Sequence, residues 1–311
     1  MAIAFTFPGQ GSQVVGMGHE LAEAFSEARA VFDEVDEALG EKLSTLIWEG
    51  PEEKLTLTAN AQPALMAVSM AALRAMQARG LVLEGKVDYL AGHSLGEYSA
   101  LCAAGVFSLA DTARLLRIRG NAMQAAVPPG EGAMAAILGL DDAEVEAACQ
   151  AAGNGICQIA NDNGGGQIVI SGARAAVEAA AARCTDKGAK RAIMLPVSAP
   201  FHSALMAPAA EAMRAALTDV TMKTPTVPVV ANVTVTPLTD PVEIARRLVE
   251  QVTGRVRWRE TVEFFAGNGV TGLYEIGAGK VLSGLARRID RTLAATSVGG
   301  PADIDAALAA L

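Results

Sequence analysis

The 311-residue sequence is poor in histidine and cysteine. Its three histidines are His19, His93 and His202. So few imidazoles weaken any case for a metal centre and make the search for a general base short. The four cysteines, Cys102, Cys149, Cys157 and Cys184, include no CxxC pair. Their spacing suits neither zinc nor a disulfide framework, and they read as reduced, mostly buried thiols. Also missing is an uninterrupted apolar run of the ~20 residues that a bilayer crossing takes. The opening "MAIAFTFPGQG" has no basic segment and reaches a Pro-Gly break too soon for a secretory signal. A soluble, cytoplasmic protein that enters no membrane is expected. Basic blocks are absent too: 25 Lys and Arg are scattered among 34 Asp and Glu, for a net charge of −9. That argues against nucleic acid as a partner.

What is present is a large core. Hydrophobic residues make up 51% and charged residues 19%, enough to bury one large domain or two ordinary ones. Ala2–Phe7 reads as a short buried strand, broken by "PGQGSQ", and "ELAEAFSEARAVFDEVDEAL" as one amphipathic helix. A second helix is expected over Ala61–Arg79, with Pro63 in its first turn and Gly80 just past its end. Val87–Ala91 follows as a buried strand and Leu95–Ala104 as a buried helix. Strands separated by helical crossovers point to an α/β fold with a mainly parallel sheet.

The rhythm changes in the middle of the chain. "GAMAAILGL", "DDAEVEAACQAAG", "GICQIAN", "GQIVISG", "ARAAVEAAAARCTDKG" and "KRAIMLPVS" read as β-α-β-β-α-β, the ferredoxin-like pattern. It spans residues 130–197 and is flanked by the hinge-like "AVPPGEG" and "VSAPFH". The expectation is an inserted ferredoxin-like α+β subdomain, with residues 1–129 and 198–311 forming a larger α/β catalytic domain. Further on, "SALMAPAAEAMRAAL" and "PVEIARRLVEQV" read as helices, and "VPVVANVT" and "GLYEIG" as strands.

Gly92-His93-Ser94-Leu95-Gly96 is a complete G-x-S-x-G. A strand is expected before it and a helix after it, as a nucleophile elbow needs. The glycines allow strand and helix to pass closely, and the serine hydroxyl stands at a helix start, where backbone N–H groups stabilise negative charge. A serine nucleophile needs a base. His93 adjoins Ser94, so its side chain should diverge, and His19 reads as an exposed helix-start residue. His202, in "SAPFHSALM", lies downstream of the serine at a loop-to-helix junction, the Ser-before-His order of hydrolase-like enzymes. No Asp between them has good context; Asp162 and Asp186 fall in the small subdomain, and a carbonyl or amide serves as well to orient an imidazole. The "FPGQGSQ" turn follows the first strand. The N–H groups of Gln10 and Leu95 are the natural pair for an oxyanion hole. Among Arg114, Arg117 and Arg119, Arg119 stands apart because it precedes a glycine at an expected helix end. An arginine in a cleft suits a substrate carboxylate.

Seven motifs occur in order: "FPGQGSQ", "GHSLGEYSA", "RGNAMQ", "GAMAAILGL", "NDNGGGQIVISG", "PFHSALM" and "YEIGAGKVLSGL". Over about 280 residues they resemble the malonyl-CoA:acyl carrier protein transacylases of the stand-alone bacterial type. The resemblance implies a hydrolase-like α/β core with a ferredoxin-like insertion, and malonyl transfer from coenzyme A to a phosphopantetheine thiol through a malonyl-serine. It implies Ser94 as nucleophile, His202 as base, Gln251 as the residue orienting that base through a carbonyl, and Gln10 and Leu95 as oxyanion donors. Arg119 would pair with the malonyl carboxylate, Asn161 would line the cleft, and Phe201 would crowd an α-methyl branch. It implies no metal and no cofactor beyond the substrates malonyl-CoA and the carrier, an acidic acyl carrier protein as partner, and a monomer. Arg287 and Arg288 are candidates for the carrier's docking patch. The rival readings are a malonyl loader for a polyketide synthase and a serine thioesterase or hydrolase.

Overall fold

The computed structural model describes residues 2–153, 155–197 and 199–311. In chain order the elements begin with β1 (Ala2–Phe7), α1 (His19–Ala24), α2 (Ser26–Leu39), α3 (Leu43–Glu49), α4 (Glu52–Leu55) and α5 (Thr58–Ala78). Then come β2 (Tyr89–Gly92), α6 (Gly96–Ala103), α7 (Leu109–Ala125), β3 (Gly132–Leu138), α8 (Asp142–Ala151), β4 (Cys157–Asp162), β5 (Gln167–Ala173), α9 (Arg174–Asp186) and β6 (Arg191–Met194). After a 3-10 turn at Ala204–Met206 follow α10 (Ala207–Thr218), β7 (Val229–Val230), β8 (Pro237–Leu238), α11 (Pro241–Thr253), β9 (Val256–Arg257), α12 (Trp258–Gly267), β10 (Val270–Ile276), α13 (Val281–Ile289), β11 (Ala294–Val298) and α14 (Pro301–Ala310). No helix among the described residues is long and apolar enough to cross a membrane.

Two sheets organise these elements. The larger has strand order β11-β10-β1-β2-β7-β8. Every pairing in it is parallel except β7 with β8. Helices on its two faces bury near-continuous apolar strands, as a parallel sheet requires. The smaller sheet has order β6-β3-β5-β4-β9. Its first four strands are antiparallel and ferredoxin-like. The fifth, β9, comes from the chain beyond the insertion and pairs parallel with β4, Asn161 facing Val256.

Alternation along the small sheet gives it two apolar faces. Ala135, Ile137, Ile159, Ile168 and Ile170 pack against α8 and α9 in a core of their own. Met134, Ala136, Ala160 and Val169 face the other way and join the main core. Charge adds a second tie: Arg259 Nε donates to Asp162 Oδ2 at 2.7 Å, and Arg255 pairs with Asp142. The exit hinge expected in "VSAPFH" includes Ser198, which lies outside the described residues.

Four sequence expectations change. The long N-terminal helix is two, α1 and α2, because Phe25 is extended (φ −133°, ψ 122°) and lies under the Arg79 guanidinium. Helix α5 starts at Thr58, so Pro63 lies inside it. A proline there leaves the carbonyl four residues back without its helical donor. Arg117 Nη1 donates to that carbonyl, Ala59 O, at 2.7 Å. Helix α7 does not end after Arg119 but runs on to Ala125. Gly120 is instead where α7 crosses α5, since a Cβ there would meet Ala59 Cα at 2.6 Å. Finally, the strand expected over "VPVVANVT" keeps only Val229–Val230. The chain leaves the ladder at Asn232, whose N–H donates to Glu97 Oε2 at 3.1 Å.

At the joint of β2 and α6 the backbones nearly touch. A Cβ on Gly96 would lie 2.2 Å from Phe7 O, on the central strand. Gly96→Ala should cost at least ~3 kcal/mol or prevent folding. Gly284→Ala, inside α13 with open space at its Cβ, should stabilise by about 0.5–1 kcal/mol. Urea unfolding of the two variants checks both; equal midpoints would contradict the packing described.

Candidate active site

Ser94 ends the turn between β2 and α6 at φ +54°, a left-handed conformation rare for a residue with a Cβ. The elbow is held by Asn232. Its Oδ1 accepts from Ser94 N–H at 2.8 Å and its Nδ2 donates to Gly92 O at 2.7 Å. His93 turns away, its Nε2 2.9 Å from Asn163 Oδ1. His19 lies far along the chain from this cluster, against Trp48.

His202 reaches the serine from the segment before the 3-10 turn, itself at φ +55°. Its Nε2 lies 2.7 Å from Ser94 Oγ. On the other side Nδ1 faces the backbone carbonyls of Gln251 at 2.9 Å and Gly254 at 3.1 Å. Two acceptors there assign the proton to Nδ1 and leave Nε2 free to accept the serine hydroxyl. The imidazole is 3% exposed. Burial, reinforced by the Arg119 charge, holds its pKa down at about 3, so the ring is neutral at pH 7.

Arg119 is 1% exposed. Its Nη2 donates to Ser94 Oγ at 3.2 Å and to Gln251 Oε1 at 2.8 Å, and its Nη1 to Gln62 Oε1 at 2.7 Å. The guanidinium also faces the Tyr98 ring at 5.6 Å. The same network reaches the first glycine-rich turn: Gln62 Nε2 donates to Thr58 Oγ1, which donates to Gln10 Oε1, both at 2.9 Å. Gln251 therefore divides its work. Its backbone carbonyl meets His202, and its side chain meets Arg119.

These groups open into a cavity of about 450 Å³ between the two sheets. Gln10 and Leu95 line it, and neither backbone N–H is donated to a protein acceptor among the described residues. Asn161, beside a register irregularity in β4, lines the opposite wall. Phe201 lines it next to His202. Seven of the site residues read from the sequence thus line one space, and the eighth, Gln251, lies behind it, bonded to His202 and Arg119.

The arrangement holds a hydroxyl on a neutral imidazole, two free N–H donors and a buried cation. It suits acyl transfer with an anionic acyl group. Comparison with known proteins agrees. The acyl transferase domain family matches residues 4–283. A malonyl CoA-acyl carrier protein transacylase of Salmonella typhimurium is 49% identical over 307 residues, 98% of each chain. The chain belongs to the malonyl CoA-acyl carrier protein transacylase family. Among solved structures, an acyl-carrier-protein-S-malonyltransferase from Bartonella henselae is 65% identical, with TM-score 0.99 over 100% of this chain and 99% of that one. A malonyl-transacylase in complex with a type II PKS acyl-carrier protein is 44% identical, with TM-score 0.96 over 100% of both chains.

Three residues of the network were not singled out in the sequence. Gln62 sits in an apolar helix, "ANAQPALMAVSM", and Asn232 ends the buried "VPVVA" run. Glu97 is a carboxylate in the first turn of a helix that is otherwise apolar or small. In each case the available signal was a polar residue where only apolar ones belong. Burial raises Glu97 to about 7, opposed by hydrogen bonds from Gln251 and Asn232 and by the Arg119 charge.

His202 and Glu97 tilt stability in opposite directions. Above pH 6.5, the ordinary imidazole value, folded and unfolded His202 are both neutral. As pH falls toward 3, only the unfolded chain takes up the proton, and stability is lost. Glu97 ionises first in the unfolded chain, so its contribution is lost as pH rises from 4.5 to about 7. Replacing His202 with Asn should flatten the loss of urea midpoint below pH 6.5. An unchanged acid slope would show that His202 is not buried neutral.

Proposed function

We propose that the chain moves a malonyl group from coenzyme A to the phosphopantetheine thiol of acyl carrier protein, by way of malonyl-Ser94. The observation that carries this reading is the Arg119 guanidinium beside a serine already hydrogen-bonded to histidine. A cation there favours an acyl group that brings its own carboxylate, which a guanidinium fork holds in two-pronged fashion.

His202 Nε2 takes the Ser94 proton as Oγ attacks the thioester carbonyl. The tetrahedral oxyanion lies between the N–H groups of Gln10 and Leu95. Carbonyls of Gln251 and Gly254 hold the imidazolium that forms. The imidazolium returns its proton to the departing CoA thiolate. Malonyl-Ser94 remains, its carboxylate on Arg119. The carrier thiol then enters, gives its proton to His202 and takes the acyl group, and the imidazolium returns that proton to the departing Ser94 Oγ, completing a two-step exchange. These steps ask for no metal or redox cofactor. Phe201 and Asn161 shape the acyl space; the exclusion of an α-methyl branch is worth only ~1–3 kcal/mol.

Residues 130–197 act in this reading as a subdomain that covers the acyl-serine and keeps water out. The carrier is that of fatty acid synthesis, and the enzyme works as a cytoplasmic monomer. Arg287 and Arg288, exposed in the last turn of α13, offer positive charge to an acidic carrier. That helix also supplies Leu282 and Leu285 to the cavity wall. A polyketide carrier is the second reading, favoured by the likeness to a transacylase solved with such a carrier.

Intact mass spectrometry tests the reading. Malonyl-CoA should add one malonyl group to the wild type and none to Ser94→Ala, and the adduct should move to a phosphopantetheinylated carrier. An adduct that decays to malonate and ignores both carrier types would mean a hydrolase. Arg119→Ala should slow malonyl loading by ~100-fold or more while loading acetyl-CoA comparatively well. Unchanged selectivity in direct competition would remove Arg119 from the carboxylate site.

A further inference from the structure

Glu97 stands in the first turn of α6, 2% exposed, with its carboxylate turned inward. It touches neither Ser94 nor His202 nor the guanidinium of Arg119 by any hydrogen bond among the described residues. Its Oε2 accepts from Asn232 N–H at 3.1 Å and from Gln251 Nε2 at 2.8 Å. A buried carboxylate costs stability unless it is well used, and the acyl-transfer steps give this one no part.

The geometry around Gln251 supplies the part. The two ends of a glutamine amide have nearly the same shape, so their partners decide which way it faces. Gln251 Nε2 donates to Ser94 O at 2.9 Å and to Glu97 Oε2 at 2.8 Å, with Asn232 Oδ1 a longer third acceptor at 3.4 Å. Oε1 is thereby turned to Arg119 Nη2 at 2.8 Å. The reversed amide would set oxygen against carboxylate and NH2 against guanidinium. Gln62 fixes the other prong of Arg119, and what remains of Nη2 points at Ser94 Oγ. A carboxylate placed directly on Arg119 would neutralise the charge that the substrate needs, whereas amide oxygens leave it in place. With an amide between them, Glu97 acts on Arg119 without pairing with its charge directly.

We infer that Glu97 is a positioning residue for acyl selection, setting the sense of the Gln251 amide and through it the aim of Arg119 at the acyl-serine. This rests on the reading of Arg119 as the carboxylate site. Asn232, held by the same oxygen and bonded to Ser94 N–H, ties the elbow to the same anchor.

The test is single-turnover acylation by malonyl-CoA and by acetyl-CoA, followed by intact mass, for wild type, Arg119→Ala, Glu97→Ala, Glu97→Gln and Glu97→Asp. Glu97→Ala should lower the malonyl-to-acetyl rate ratio by ~10-fold or more, through the malonyl rate. Glu97→Gln keeps an acceptor oxygen at the same reach and should restore the ratio to within ~3-fold of wild type. A merely structural role would lower both rates together and leave the ratio alone, and that result in folded Glu97→Ala overturns the inference. If Glu97→Ala does not fold, Glu97→Asp decides. One methylene shorter, it should lose Gln251 and lower the ratio; an unchanged ratio overturns the inference. If Arg119→Ala itself keeps the wild-type ratio, the carboxylate-site reading fails and the inference falls with it. If Arg119→Ala collapses the ratio and the Glu97 variants do not, the inference alone falls.

Discussion

A guanidinium buried at the centre of a protein is costly unless most of its N–H groups are given acceptors. Arg119 imposes that demand, and much of the site follows from it. Helix α5 supplies Gln62, helix α11 supplies Gln251, the elbow supplies Ser94 Oγ, and α6 supplies the Tyr98 ring. Pairing this cation through Nη1 and Nη2 therefore brings four separate elements together, while its Nε has no hydrogen-bond partner among the described residues. The same charge, added to burial, keeps His202 far below its ordinary pKa. The group proposed to read a substrate carboxylate thus also helps keep the neighbouring imidazole neutral.

The hydrogen-bonded Ser94–His202 pair sits on strained backbone at both ends. Ser94 and His202 are two of the three residues other than glycine, among those described, with positive φ. Such conformations persist only where the surroundings over-determine them. For Ser94 the surroundings are Asn232 and the close approach of Gly92 to Gly96. For His202 they are the carbonyls at the end of α11. The segment that follows those carbonyls continues into β9, which is paired with β4 and tied to Asp142 and Asp162 by Arg255 and Arg259. The backbone that orients the base is therefore also the edge of the smaller sheet.

Much of this was legible in the sequence for physical reasons. The elbow is written in five consecutive residues, because a tight strand-to-helix turn demands glycine on both sides of the exposed serine. The β-α-β-β-α-β order was legible because each element's apolar pattern and bounding turn lie within a few consecutive residues. Histidine scarcity left little choice of base. What was not legible depends on distance. That Gln251 lends a backbone carbonyl to His202 and a side chain to Arg119 involves partners 49 and 132 residues away. Gln62, Glu97 and Asn232 looked like isolated polar residues because each is satisfied only across elements. The breaks at Phe25 and Asn232 arise from tertiary partners overriding local pattern. Gly120 looked like a stop signal but serves a helix crossing, and no local rule separates the two.

The placement of β1 governs how this chain can be made. That strand lies inside the larger sheet, between β2, completed by Gly92, and β10, which starts at Val270. During synthesis β1 can pair with β2 early, but its other edge stays open until β10 leaves the ribosome. At ~5–20 residues per second the wait is on the order of ten seconds or more. For that time the nascent chain carries an apolar strand with free N–H and C=O groups, a template for pairing with any neighbouring chain. A message cut short before Ile276 would leave that edge open permanently. The last strands are thus the lock on the first.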